Sequence, residues 1–128
     1  MTQTPNLTVI ELWTFRDLDT WAGMDIAGFK VEALDGGIGS VDEATTEHGG
    51  SYIVVDTGPW IFGKKVMLPA GVIDRVDLQD RRVFVNRTKD EIENAPEFDE
   101  SRYAGVQYQS ELSNYYGEGG TGYRPYAP

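Results

Sequence analysis

From Phe29 to Asn86 the chain breaks repeatedly into short apolar stretches separated by glycine, proline and aspartate. No long helix fits that rhythm. Phe29, Val31 and Ala33 alternate with Lys30 and Glu32, as a half-buried strand requires. Asp35-Gly36-Gly37 then supplies residues that tolerate the left-handed backbone of a hairpin turn. A second strand runs from Ile38 to Thr46, with Gly39 placed for a bulge or a close backbone approach. After His48-Gly49-Gly50, the β-branched run Ile53-Val54-Val55 suits a strand buried on both sides. Thr57-Gly58-Pro59-Trp60 reads as a turn, and a fourth strand runs from Lys65 to Leu68. Pro69-Ala70-Gly71 makes a sharp corner, and Val72 to Leu78 resumes the alternation. Gln79-Asp80-Arg81 is the next turn, with Asp80 able to cap it, and Arg82 to Asn86 is the last strand. Six short strands at hairpin spacing predict a mainly β fold, a small antiparallel six-stranded barrel, because closure hides the edges an open sheet exposes.

Thr88-Lys89-Asp90-Glu91 has the spacing of a capping box and predicts a short helix, which Pro96 prevents from running far. Beyond Glu100 lie six of the seven tyrosines, Tyr103, Tyr108, Tyr115, Tyr116, Tyr123 and Tyr126, interleaved with glycines. That composition predicts an aromatic Gly/Tyr-rich tail without periodicity, ordered only where its rings dock on a surface. The chain therefore divides into an N-terminal extension over 1–24, a barrel over 25–100 and a tail over 101–128. Its 128 residues are enough for one modest core.

A net charge of -10 opposes direct binding to nucleic acid or anionic lipid. Within it, Lys64, Lys65, Arg75, Arg81, Arg82 and Arg87 form a basic middle that either faces an acidic partner or pairs with neighbouring acids. With no cysteine, disulfides, thiolate metal sites and cysteine nucleophiles drop out together. Neither a signal sequence nor a spanning apolar run is present, so no membrane insertion is expected and a cytoplasmic location fits best.

Catalytic patterns are poor, and no catalytic residue, cofactor or metal is expected. The one histidine, His48, sits in a Gly-rich turn, and Asp42 and Glu43 are adjacent on a strand, where side chains point to opposite faces. Aromatic residues are the better binding candidates. Trp60, Ile61 and Phe62 are three consecutive bulky residues that an alternating strand cannot place on one face. Exposed patches of this kind mark interfaces. Trp60, Ile61, Phe62, Lys64, Lys65, Arg81, Arg82, Tyr115, Tyr116, Tyr123 and Tyr126 are thus the candidate partner contacts.

Four stretches, Gly28-Phe29-Lys30-Val31, Asp35 to Val41, Tyr52 to Asp56 and Val66 to Ala70, together resemble the PRC-barrel domain. That domain is named for the cytoplasmic part of the photosynthetic reaction-centre H subunit and also occurs in a ribosome-maturation factor and in small stand-alone bacterial proteins. The similarity covers roughly residues 25–100 and is strongest to the small stand-alone actinobacterial type, through Asp56 to Gly63 and Thr88-Lys89-Asp90. It implies an adaptor that holds another protein and does no chemistry. The leading expectation is a protein-interaction or assembly module that self-associates as a homo-oligomer. The alternatives are a factor docking on a ribosomal protein or nucleoprotein through the basic middle, and a ligand-binding barrel or enzyme.

Overall fold

The computed structural model describes residues 12–15, 21, 24–45, 51–58, 64–97 and 106–117. Each strand expected from the alternation forms: β1 (Lys30–Ala33), β2 (Gly36–Thr45), β3 (Tyr52–Asp56), β4 (Lys65–Pro69), β5 (Ile73–Asp77) and β6 (Arg82–Val85). They build one six-stranded sheet in the order β4-β3-β2-β1-β6-β5. Pairing is antiparallel except between β1 and β6, which run parallel. The expected antiparallel barrel is therefore corrected to a mixed sheet that is not closed into a barrel.

One corner causes this. Had β4 and β5 been joined by a hairpin, β5 would reverse direction and β6 would end antiparallel to β1. Instead Pro69 holds φ -59 and ψ 145, and Ala70–Val72 form a single 3-10 turn that passes the chain on in the same sense. This corner is also fastened to the neighbours of both edge strands. Ala70 N–H donates to the Ser51 carbonyl ahead of β3, and Asn86 N–H donates to the Val72 carbonyl behind β6. The two outermost strands leave one corner, so the sheet has to curl.

The turns follow the sequence with two shifts. At the β1–β2 hairpin the loop residues are Leu34 and Asp35, since Gly36 is already paired with Ala33. In the β5–β6 turn the capping carboxylate belongs to Asp77, not Asp80: Asp77 accepts the Asp80 N–H, which holds its acid below the usual carboxylate range. Arg81 follows with a left-handed φ of 57. Gly39 is placed as expected: its φ is 139, and a β-carbon there would run into the backbone carbonyl of Asp56 on β3.

Ile53, Val54 and Val55 are all buried, because β3 is covered on both faces. Helix α1 (Lys89–Glu93) carries the full capping box of Thr88 and Glu91. The core also takes in Leu12, Trp13, Phe15 and Trp21 from the N-terminal segment. Trp13 ties that segment in twice, accepting the Ser51 N–H and donating its indole N–H to Ser113 Oγ at 2.8 Å.

A further correction concerns the tyrosine-rich end. Val106–Tyr116 is helix α2, and Tyr108, Leu112 and Tyr116 are fully buried in the common core. Their spacing of four residues places them on one helical face, so the region has a period that its glycines obscured. The rings of Tyr108 and Tyr116 pack into the chain's own core.

Two tests follow from this packing. Gly39→Ala should lower stability by about 1–3 kcal/mol from backbone conformation alone, with the clash against β3 adding to it, as urea denaturation would measure. Truncation after Glu100 should sharply lower the melting temperature, and Leu112→Ala alone should cost about 2–5 kcal/mol. A truncated chain that melts like the full one would show that the core closes without α2.

Candidate functional site

Among the described residues, many of the side-chain hydrogen bonds gather at the helix ends. A five-residue helix leaves most of its backbone groups without intrahelical partners, and each must be satisfied from elsewhere. At the start of α1, Asp35 accepts the Lys89 N–H, Thr88 Oγ accepts the Glu91 N–H, and Glu91 accepts the Thr88 N–H. At its end, Asn94 donates to the Asp90 carbonyl from both backbone and side chain, and Ala95 N–H donates to the Ile92 carbonyl. The Glu91 carbonyl is capped from α2, by the Tyr115 hydroxyl at 2.6 Å. Tyr108 donates to the Pro96 carbonyl at 3.4 Å.

The reverse bond comes from Arg87. Its guanidinium is fully buried, donates to the Tyr116 carbonyl at the C-terminal end of α2, and lies 5.7 Å from the Tyr116 ring centroid. A second nitrogen donates to the Asn86 carbonyl. A cation at the negative end of a helix is in its favoured place. Just beyond, Gly117 N–H donates to the Ser113 carbonyl, and a β-carbon at Gly117 would strike that same oxygen.

Between β4 and the turn after α1 lies a cleft of about 210 Å³. Met67, Ile92 and Tyr116 form its buried inner surface, Val66, Ala95 and Pro96 its half-buried walls, and Lys64, Lys65, Glu93 and Glu97 its mouth. Tyr116 is notable because its hydroxyl has no hydrogen-bond partner although the residue is entirely buried. Such a group costs about 1–3 kcal/mol. Burial pushes its ionisation far above the usual tyrosine range, with Tyr115 adding to the effect and Arg87 opposing it. Tyr115 is raised too, first by burial and then by the Glu91 carboxylate.

A second, shallower groove of about 390 Å³ lies on the outer face of β1, β6 and β5. Leu34 at the hairpin tip is 54% exposed, and Phe84 is half-buried with the Arg75 guanidinium 4.0 Å above its ring. Glu32 and Asp74 line the same groove.

Every member of the basic middle is engaged. Lys64 meets Glu97 at 3.2 Å, Lys65 meets Asp42 at 3.1 Å, Arg75 meets Asp77 at 3.5 Å and Arg82 meets Glu32 at 2.9 Å. Arg81 lies 5.2 Å from the Phe29 ring centroid, and Arg87 is buried. These exposed pairs are weak individually, but they spread the positive charge over several faces. Of the tyrosines named as contacts, Tyr115 is half-buried with its hydroxyl on α1, and Tyr116 is buried. Trp60, Ile61, Phe62, Tyr123 and Tyr126, along with His48, lie outside the described residues.

Sequence reasoning missed the cleft, the Leu34–Phe84 groove and the buried role of Arg87. Only the four-residue spacing from Tyr108 to Tyr116 signalled any of this in advance. Among the described residues no group of three or more His, Cys, Asp and Glu is placed to hold a metal ion, and no helix is long and apolar enough to cross a membrane. In comparison with known proteins, the chain matches no protein-family model and no curated protein.

Because Tyr115 and Tyr116 are both held above the ordinary tyrosine value, their contribution to stability is complete below about pH 10 and is lost as pH rises past it. Melting temperature should fall with alkali above that point. In Tyr116→Phe the fall should be shallower, and an identical slope in both proteins would remove Tyr116 from the account.

Proposed function

We propose that this chain is a non-catalytic protein-interaction or assembly module of the PRC-barrel kind, acting in the cytoplasm by pairing with a second copy of itself. Two features of the fold support a barrel-like reading: the two outermost strands spring from one corner, and that corner is hydrogen-bonded to the residues that flank β3 and β6.

The observation that carries self-association is the groove at Leu34. An exposed leucine beside an aromatic ring covered by arginine makes a partly apolar patch, and aromatic residues and arginine are enriched at interfaces. Arg75 is paired with Asp77 and Glu32 with Arg82 within the chain, so the groove presents little net charge to repel a second copy of itself. A two-fold interface needs that property, since the same surface supplies both sides. The engagement of all six bases of the middle segment favours this reading over docking on nucleoprotein.

Sedimentation equilibrium over a range of concentrations tests it. Wild type should show a reversible dimer. Leu34→Asp should weaken that dimer by about tenfold or more, because it places a charge in the apolar part of the patch, while at concentrations where both proteins are monomeric their melting temperatures should agree because Leu34 is exposed. A wild type that stays monomeric, or a variant that dimerises as well as wild type, would overturn the proposal.

A further inference from the structure

Asp35-Gly36 is the chain's one Asp-Gly pair, and the sequence contains no Asn-Gly. The pair stands at the tip of the β1–β2 hairpin, where Leu34 and Asp35 are exposed. A glycine nitrogen that follows an aspartate is shielded by no β-carbon of its own residue, so it can close a five-membered ring on the aspartate γ-carbon. The hairpin requires that glycine. Gly36 has a φ of 144, a conformation that residues with a side chain adopt only under strain. The backbone that makes the turn therefore also keeps the reactive pair in the chain.

What the fold adds is a restraint on the carboxylate. Ring closure needs the Asp35 side chain to swing back towards the Gly36 nitrogen. Instead, Asp35 Oδ1 accepts the N–H of Lys89, the first residue of α1, at 2.8 Å. The Lys89 side chain lies alongside, with its Cδ 3.6 Å from where a β-carbon on Gly36 would stand. On the other side of Asp35, Leu34 N–H donates to the Arg87 carbonyl.

The structure assigns Asp35-Gly36 as a site of spontaneous isomerisation, held in check by the hydrogen bond from the Lys89 N–H. The Gly36 nitrogen attacks the γ-carbon of the Asp35 carboxyl in its acid form, and an N–Cγ bond forms. The Cγ–OH bond breaks, and the hydroxyl leaves with the amide proton as water. Water then opens the cyclic imide. Attack at the γ-carbon restores aspartate, while attack at the former main-chain carbonyl gives isoaspartate, with no net change in composition. In that product the main chain runs through the β- and γ-carbons, and the free carboxylate sits on the α-carbon. The acceptor thus leaves the position from which it capped Lys89, and the tie between the hairpin and α1 is cut.

The test is to incubate the full chain at neutral pH and follow isoaspartate at Asp35 by peptide mapping with methyltransferase labelling. Samples are kept dilute enough to be monomeric, since Gly36 also lines the Leu34 groove. Folded wild type should accumulate isoaspartate there about tenfold or more slowly than the same chain in urea, the factor that one hydrogen bond to a carboxylate confers. Lys89→Pro deletes the N–H at the first helical position, which accepts proline and here follows an extended Thr88. Its folded rate should rise towards the rate in urea. Lys89→Ala keeps the N–H and should isomerise like wild type. If Lys89→Pro fails to fold, the other two comparisons still decide. No accumulation at Asp35 in the folded chain, equal rates for folded and urea-treated wild type, a folded Lys89→Pro no faster than wild type, or a Lys89→Ala as fast as the chain in urea would each overturn the assignment.

Discussion

Arg87 joins the two halves of this molecule. It sits immediately before the capping box of α1 and reaches across to the last carbonyl of α2, with its charge wholly removed from solvent. A buried guanidinium is stabilising only where carbonyls and helix ends take up its donors, and removal of one side of such an arrangement commonly costs about 3–5 kcal/mol. In return α2 sends the Tyr115 hydroxyl to a carbonyl of α1. The residue just before the cap of α1 thus closes the end of α2, and α2 closes the end of α1, so neither end is completed by its own residues alone.

That exchange explains why a five-residue helix can persist. Isolated helices of this length are unstable in water, because nucleation fixes many dihedral angles for few hydrogen bonds. Here the cost is offset by tertiary bonds: Asp35 from the β1–β2 hairpin at one end and Tyr115 from α2 at the other. The hairpin tip is held in turn, since Leu34 N–H donates to the Arg87 carbonyl. The short loop from β6 to α1 is consequently a junction between the sheet, both helices and the hairpin. The cleft lies beside this junction, and Tyr116, whose carbonyl Arg87 binds, is among its lining residues.

Charge on the surface is arranged by the same economy of contacts. The chain is strongly acidic, yet the bases of residues 64–87 meet acids from three other regions: Glu32, Asp42 and Glu97. This leaves local neutrality on the sheet's outer face, against which the exposed Leu34 and the Arg75–Phe84 stack stand out. Steering of a highly charged partner needs a field of one sign. A neutral, partly apolar face instead favours a partner matched in shape.

The sequence by itself determined the strands, the corner, the bulge-prone glycine and the capping box. Each of these depends on a few adjacent residues: a period of two, a proline's fixed φ, a missing β-carbon, or two side chains one helical turn apart. It also held the period of α2, in Tyr108, Leu112 and Tyr116, though interleaved glycines and tyrosines made that segment resemble a tail. Tertiary structure alone decided the rest. Whether β6 runs parallel or antiparallel to β1 depends on the direction in which one corner releases the chain, and no local pattern encodes that direction. Likewise Arg87 reads in sequence as one more surface base, and becomes a buried cap only because a helix starting nineteen residues later brings its end alongside. The cleft and the groove are assembled from strands, turns and helices far apart in the chain, and exposure at such places is a property of the packed whole.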